Sequence, residues 1–442
     1  MDALDGLPNP FHKTIVADPW QSNADDVPEI HGEAYRLCQR RLNDVIRDGG
    51  TRSIVLYGEA GSGKTHLLRR LRAQWLGEPP HEVDPIRPEV VFVSARLQTS
   101  PHHLWRYLRK SLVDDLLRQS SDGSSQLEGI LLRRLAEVRG ADADLRLWFE
   151  WLRDSHSAPG EFESTLNDLI DQVNLQARLG HDLWVVLVHL LLGRHRREAT
   201  AWLRGDPLPS QALDRLGLAP EPSDSEPEDQ ARVTVAALCR LAGRKVPVVF
   251  CFDQIEALQV DRSDVAALFA FGRMVMELFQ ETENVLILAC VQISFIDVLR
   301  EAVLKPAWDR LAMERLAIAP LRWEEASKLI VSRLDAPPAL RSLRQSRRDQ
   351  PLWPLDPDRL KIRIGGAETA RRILGECADQ FEALQLGRQP DRPTTPDLSD
   401  SWRERLEVAR RTYDPDQIPL VLEHALPMLL MFVAPDWARS LD

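Results

Sequence analysis

Residues 58–65 read Gly58-Glu59-Ala60-Gly61-Ser62-Gly63-Lys64-Thr65 and satisfy every fixed position of the pattern G-x-x-x-x-G-K-[ST]. No other segment restricts the fold so tightly. A loop of this kind needs a buried strand to deliver it and a helix to receive it, and both flanks comply. Ser53-Ile54-Val55-Leu56-Tyr57 is a short buried strand pattern, and His66 to Trp75 continues as a helix. The glycines let the backbone wrap closely and aim N–H groups at an anion. The helix that follows turns its positive end on the same anion. Gly58, Glu59, Ala60, Gly61, Ser62, Gly63, Lys64, Thr65 and His66 are therefore expected to bind the phosphates of ATP. Lys64 should reach the β- and γ-phosphates, and Thr65 should hold Mg²⁺ through its hydroxyl.

Such a loop needs an acidic partner on another strand to orient the metal and the attacking water. Val248-Val249-Phe250-Cys251-Phe252-Asp253 fits, as an apolar run that ends in a carboxylate. Asp253 is expected to hold Mg²⁺ through its water shell. Glu256 is the candidate base that polarises water. Gln254 occupies the position next to Asp253 and is an alternative for orienting the water.

Two further apolar runs, Val90 to Ser94 and Val285 to Val291, read as buried strands between helical stretches. Continuously apolar strands that alternate with helices predict an α/β fold, a parallel sheet flanked by helices. Far more chain separates Lys64 from Asp253 than one or two αβ units require, so a large helical insertion is expected there. It includes Leu183 to Leu192, read as a buried helix. The expected organisation is an N-terminal arm (1–30), a first core part (31–99), and the insertion with an acidic linker (100–230). A second core part (231–320), a helical lid (321–385) and a linker with a C-terminal helical segment (386–442) follow.

With these motifs in place, the chain resembles the AAA+ and STAND branches of P-loop ATPases. Asp253-Gln254-Ile255-Glu256 is similar to the Asp-Gln-aromatic-Glu form of STAND proteins. Ile318-Ala319-Pro320-Leu321 with Trp323-Glu324-Glu325-Ala326 resembles the lid entry of AAA+ initiators and loaders. Gly365-Gly366-Ala367-Glu368-Thr369-Ala370-Arg371-Arg372-Ile373-Leu374 resembles their second-sensor helix. The resemblance implies that Arg371 points back at the γ-phosphate. It implies a first sensor at the end of the strand 286–291, with Gln292 best placed and Ser294 next. It also implies an arginine finger for a neighbouring subunit, Arg310 or Arg315, with surface ion pairing as the alternative. Asn9-Pro10-Phe11 and Ile30-His31 sit where the family packs an N-terminal segment against adenine. The insertion faintly resembles bacterial ATPases of phage-defence islands.

The net charge of −11 argues against a general polyanion coat but not against a local basic groove. Residues 305–411 hold 21 Lys or Arg against 17 Asp or Glu. Trp105-Arg106-Tyr107-Leu108-Arg109-Lys110, Arg194-His195-Arg196-Arg197 and Arg341 to Arg348 are basic clusters that could meet nucleic acid. An ordinary helix with one core face explains them equally well. The five cysteines are scattered, without a Cys-x-x-Cys pair, which fits a reducing cytoplasm. No run is long and apolar enough for a membrane span. The expectation is an ATP-hydrolysing, AAA+-like enzyme that couples nucleotide state to conformational change, oligomerisation, or DNA or protein remodelling, with bacterial defence as the expected setting. The alternative is a STAND-type switch with little turnover that controls an effector. The apolar run Ala425 to Val433 is a candidate dock for a partner protein.

Overall fold

The structure, a computed structural model, describes residues 4, 6–12, 18–21, 26–76, 90–97, 101–120, 123–139, 171–173, 177–219, 226–244, 246–259, 265–347, 349–364 and 366–387. Helix α1 (Gly32–Asp48) precedes β1 (Arg52–Gly58), α2 (Lys64–Trp75) and β2 (Val91–Ala95). Among the described residues the helices α3 (Leu104–Leu116), α4 (Gln126–Arg139), α5 (His181–Leu191), α6 (Arg196–Arg204), α7 (Ser210–Leu216) and α8 (Pro227–Ala242) come before the next strand. The chain then forms β3 (Val248–Phe252), α9 (Ala266–Glu281), β4 (Val285–Gln292), α10 (Ile296–Ala302), α11 (Lys305–Leu311) and β5 (Glu314–Ala317). The last described part holds β6 (Leu321–Arg322), α12 (Trp323–Asp335), α13 (Pro338–Gln345), α14 (Pro357–Ile364), β7 (Ala367–Glu368) and α15 (Ala370–Gln385). The linker and segment beyond Gly387, with the run Ala425 to Val433, lie outside the described residues, as do Gly365 and Arg348.

The sheet has five strands in the order β2-β3-β4-β1-β5, and every pairing is parallel. Its core follows from period-two alternation. Val55, Val93, Phe250, Phe252, Ile287 and Ala289 face α3, α8, α9 and α11. Their neighbours Ile54, Leu56, Phe92, Cys251, Leu286 and Leu288 face α1 and α2. Both faces are covered, which is why the strands are apolar throughout. Strand β5 is the exception. It alternates between half-buried and exposed residues, carries Glu314 and Arg315, and gave no apolar run to find in the sequence.

Described helices between β2 and β3 pack on the sheet. Trp105 and Leu108 of α3, Leu187 of α5 and Leu203 of α6 share one core cluster with Phe250 and Phe252. The Trp105–Lys110 segment is correspondingly structural at its centre. Trp105 is buried and donates from Nε1 to Glu277 at 3.0 Å. Arg109 is buried and donates to the carbonyls of Leu203 at 2.7 Å and Trp202 at 2.6 Å, where α6 ends. Part of the 341–348 cluster is likewise internal. Arg344 is buried against Asp335 and the Pro351 carbonyl. Arg194, His195, Arg196 and Arg197 are exposed.

The lid is a third cluster, built from α12 to α15 around Leu329, Ile330, Ile373, Cys377 and Phe381. The β6–β7 pair joins its first and last helices. Phe11 is fully buried in this cluster, with its ring 6.2 Å from that of Phe381. Asn9 donates to the Ala378 carbonyl at 3.0 Å. The Asn9–Phe11 segment therefore anchors to the lid instead of lining a base pocket.

Candidate nucleotide site

The strand order reverses at β1, which lies between β4 and β5 while the chain from β1 runs on to the far edge strand β2. In open parallel sheets such a reversal leaves a crevice at the carboxyl ends of the strands. A cavity of about 400 Å³ occupies that place, within the size range of small-molecule sites.

One end of the cavity is the glycine loop. Gly61 at φ 83° and Gly63 at φ 108° supply left-handed backbone that a side chain would strain. Ala60 through His66 line the cavity. Lys64 is buried and donates from Nζ to the Gly58 and Glu59 carbonyls at 2.8 and 2.9 Å. Gly58 and Glu59 thus brace Lys64 without lining the cavity themselves. Burial lowers the proton affinity of Lys64, while Cys290, Glu256 and Asp253 act the other way. Thr65 donates from Oγ1 to Asp253 Oδ2 at 2.8 Å, which joins the first turn of α2 to the tip of β3. Asp253 is 2 % exposed, and its N–H donates to the Ala95 carbonyl at 3.2 Å. Arg96, at the tip of the adjacent β2, stands 3.9 Å from the same carboxylate oxygen.

Asp253, Gln254, Glu256 and Gln292 all reach the cavity. Glu256 accepts from the Gln292 backbone N–H at 3.3 Å, so the tips of β3 and β4 are tied together. Gln254 is exposed and left-handed, at φ 62°. Ser294 is exposed and does not line the cavity. Arg371 closes the space from the lid. Its N–H donates to the Gly61 carbonyl at 3.2 Å, and a Cβ on Gly61 would come within 2.6 Å of the Arg371 Cβ. Arg310 and Arg315 do not line the cavity. Ser53, near the start of β1, donates to the Arg310 carbonyl, so Arg310 sits at the opposite end of the sheet. Arg315 is exposed on β5, in register with Val55.

The other end of the cavity is apolar. Val27 and Ile30 meet Leu321 and Leu329 from the start of the lid and Leu374 from α15, with Arg333 beside them. Val27, Leu329 and Arg333 carry no signal in the sequence, because the pocket is assembled from three separated segments. Ile30, Leu321 and Leu374 fall within quoted motifs, but of these only Ile30, with His31, is placed near adenine by the resemblance. His66 and Arg70 both pair with Asp26, at 3.0 and 3.2 Å.

Mg²⁺ suits the donors present. The Thr65 hydroxyl and the Asp253 carboxylate are hard oxygen ligands in contact, and a magnesium ion characteristically takes one or two protein oxygens and completes its shell with phosphate and water. Among the described residues no group of three or more His, Cys, Asp or Glu forms a metal cluster. No described helix is long and apolar enough to cross a membrane.

A family model for the AAA ATPase domain matches residues 33–288. No curated protein matches the chain. Among solved structures, the Orc1 protein of Aeropyrum pernix, determined in complex with DNA, is similar at 16% identity and a TM-score of 0.34. The likeness covers 95% of this chain and 77% of that one. The fold assignment rests on the strand order and the phosphate loop, not on that likeness.

Proposed function

The chain belongs to the AAA ATPase domain family, and on that premise we propose that it binds ATP with Mg²⁺ and hydrolyses it. The supporting observation is the convergence of Lys64, Thr65, Asp253, Glu256, Gln292 and Arg371 on one cavity with an apolar far end. The adenine fits the Val27, Ile30, Leu329 and Leu374 end. The triphosphate fits the loop amides and Lys64, which exchanges its two loop carbonyls for phosphate oxygens. Thr65 and Asp253 would hold Mg²⁺, which would supply neutralisation of phosphate charge there. Glu256 accepts the proton of the attacking water, with Gln254 as the alternative orienting group. Gln292 and Arg371 hold the γ-phosphate, where charge develops in the transition state. Because α15 touches Gly61 directly, the lid registers the state of the loop.

The Glu256–Gln292 contact also favours a second reading, a switch with little turnover, because it occupies the proposed base. In either reading we keep the domain limits set out from the sequence as a proposal, except at 230/231, where α8 (Pro227–Ala242) runs through the expected limit. Arg310 or Arg315 serving a second copy, DNA or protein remodelling, an effector at the C-terminal segment, a cytoplasmic location and a role in bacterial defence belong to the same proposal. One experiment orders them: steady-state ATP turnover with and without DNA, with the oligomeric state followed in parallel. Lys64→Ala is expected to lose nucleotide binding, and Glu256→Gln to bind ATP while turnover falls at least a hundredfold. Turnover unchanged in Glu256→Gln would sink the assignment of the base. Turnover near zero in the wild type with tight ATP binding would favour the switch.

A further inference from the structure

Resting on the nucleotide-site reading above, we propose that His31 is a positioning residue for the phosphate loop: its ring holds the Ser62–Gly63 peptide in the orientation that binds phosphate. His31 immediately precedes α1 and lies in the left-handed region, at φ 52° and ψ 29°. Residues with a side chain seldom adopt that conformation, and its persistence calls for a compensating contact. Helix α1 does not supply one. The position favours Ser, Thr, Asp or Asn, whose side chains bond the first helical N–H groups, and His31 makes no such bond. Its side chain turns to the phosphate loop instead, with Nε2 2.9 Å from the Ser62 carbonyl oxygen.

That contact has a directional consequence. A carbonyl oxygen only accepts, so Nε2 carries the proton and donates it. In a trans peptide the C=O of one residue and the N–H of the next point in opposite directions. Holding the Ser62 carbonyl toward the imidazole therefore aims the Gly63 N–H away from it. Gly63 is also the residue that lets the ring come close, because a Cβ there would lie 3.2 Å from Nε2. Both His31 and Gly63 line the cavity. Burial lowers the proton affinity of the ring, which leaves it neutral with one donor, the one in use. Among the described residues, the chain ahead of α1 thus meets the loop through this hydrogen bond, at the Ser62–Gly63 peptide.

The test compares wild type, His31→Gly, His31→Asn and Lys64→Ala as full chains, with a fluorescent ATP analogue and by thermal unfolding without nucleotide. His31→Gly removes the ring and relieves the left-handed backbone. His31→Asn tolerates that backbone, but its amide is too short to stand where Nε2 does. Both are expected to keep the unfolding temperature of the wild type and to bind the analogue about tenfold more weakly. Millimolar imidazole is expected to restore binding in His31→Gly only, which a merely structural role does not predict. Wild-type affinity in both variants would overturn the proposal, as would a loss that imidazole leaves unchanged. If the wild type itself bound no better than Lys64→Ala, the nucleotide-site reading would fall first.

Discussion

At the residue scale, the chemistry of single side chains follows from what surrounds them. Asp115 on α3 is buried, accepts from the Ser94 N–H at 2.7 Å, and lies 3.4 Å from Arg118. Burial raises its carboxyl to about 7, against the opposing pull of the Ser94 N–H and Arg118. It therefore holds its proton more tightly in the folded chain than in the unfolded one. Its contribution is fully favourable below the ordinary value near 3.8 and is lost as pH rises through about 7. Asp115→Asn keeps an acceptor for Ser94 and cannot ionise. Relative to wild type it is expected to gain stability between pH 5 and pH 8.5, on the order of 3 kcal/mol. Unfolding temperatures at the two pH values check this, and a difference independent of pH would contradict it. No sequence pattern marks Asp115, because the desolvation comes from elements far apart in the chain.

At the element scale, helices end where something satisfies their last carbonyls. Helix α6 ends at Gly205, φ 79°, and Arg109 of α3 bonds the Trp202 and Leu203 carbonyls from outside. The planar guanidinium serves two acceptors at once, which a lysine cannot do in the same geometry. Arg109→Ala is expected to cost about 1–3 kcal/mol by taking the donor from the buried Leu203 carbonyl, while the Trp202 carbonyl keeps its bond from the Gly205 N–H at 2.9 Å. Arg109→Lys should recover part of that in chemical denaturation, and equal stability of all three proteins would show the contact to be idle. A helix with one core face at Trp105–Lys110 is one of two alternatives the sequence leaves open, and α3 is that helix. Nothing in the sequence separates Arg109, facing inward, from Arg106, which is exposed. The period of a helix identifies a face but not what covers it. The four apolar strands were legible because burial on both faces demands uninterrupted apolar residues. Strand β5, half exposed and charged, was not.

At the scale of the whole molecule, the N-terminal stretches link parts that the sequence kept separate. Phe11 is buried in the lid, Trp20 packs against Phe92 of the core at 5.8 Å between rings, and Val27, Ile30 and His31 line the cavity between. The arm is thus anchored at both sides of the site. Phe11→Ala is expected to cost the lid about 3–5 kcal/mol. It should also weaken ATP binding, because Leu329, Leu374 and Arg371 are carried by the helices Phe11 supports. Calorimetric unfolding with a nucleotide titration checks both effects. A destabilised lid with unchanged affinity would separate the arm from the site.

The sequence by itself determined the phosphate loop, the strand that delivers it, and the carboxylate strand that faces it. Each of these is a local requirement, met by neighbouring residues through backbone conformation and continuous burial. Only the tertiary structure decided which distant residues complete the site: His31 against Ser62, Thr65 against Asp253, Glu256 against the Gln292 backbone, and Arg371 over Gly61. Those contacts are set by strand order and by how the arm and lid pack, and neither is encoded in the spacing of residues along the chain.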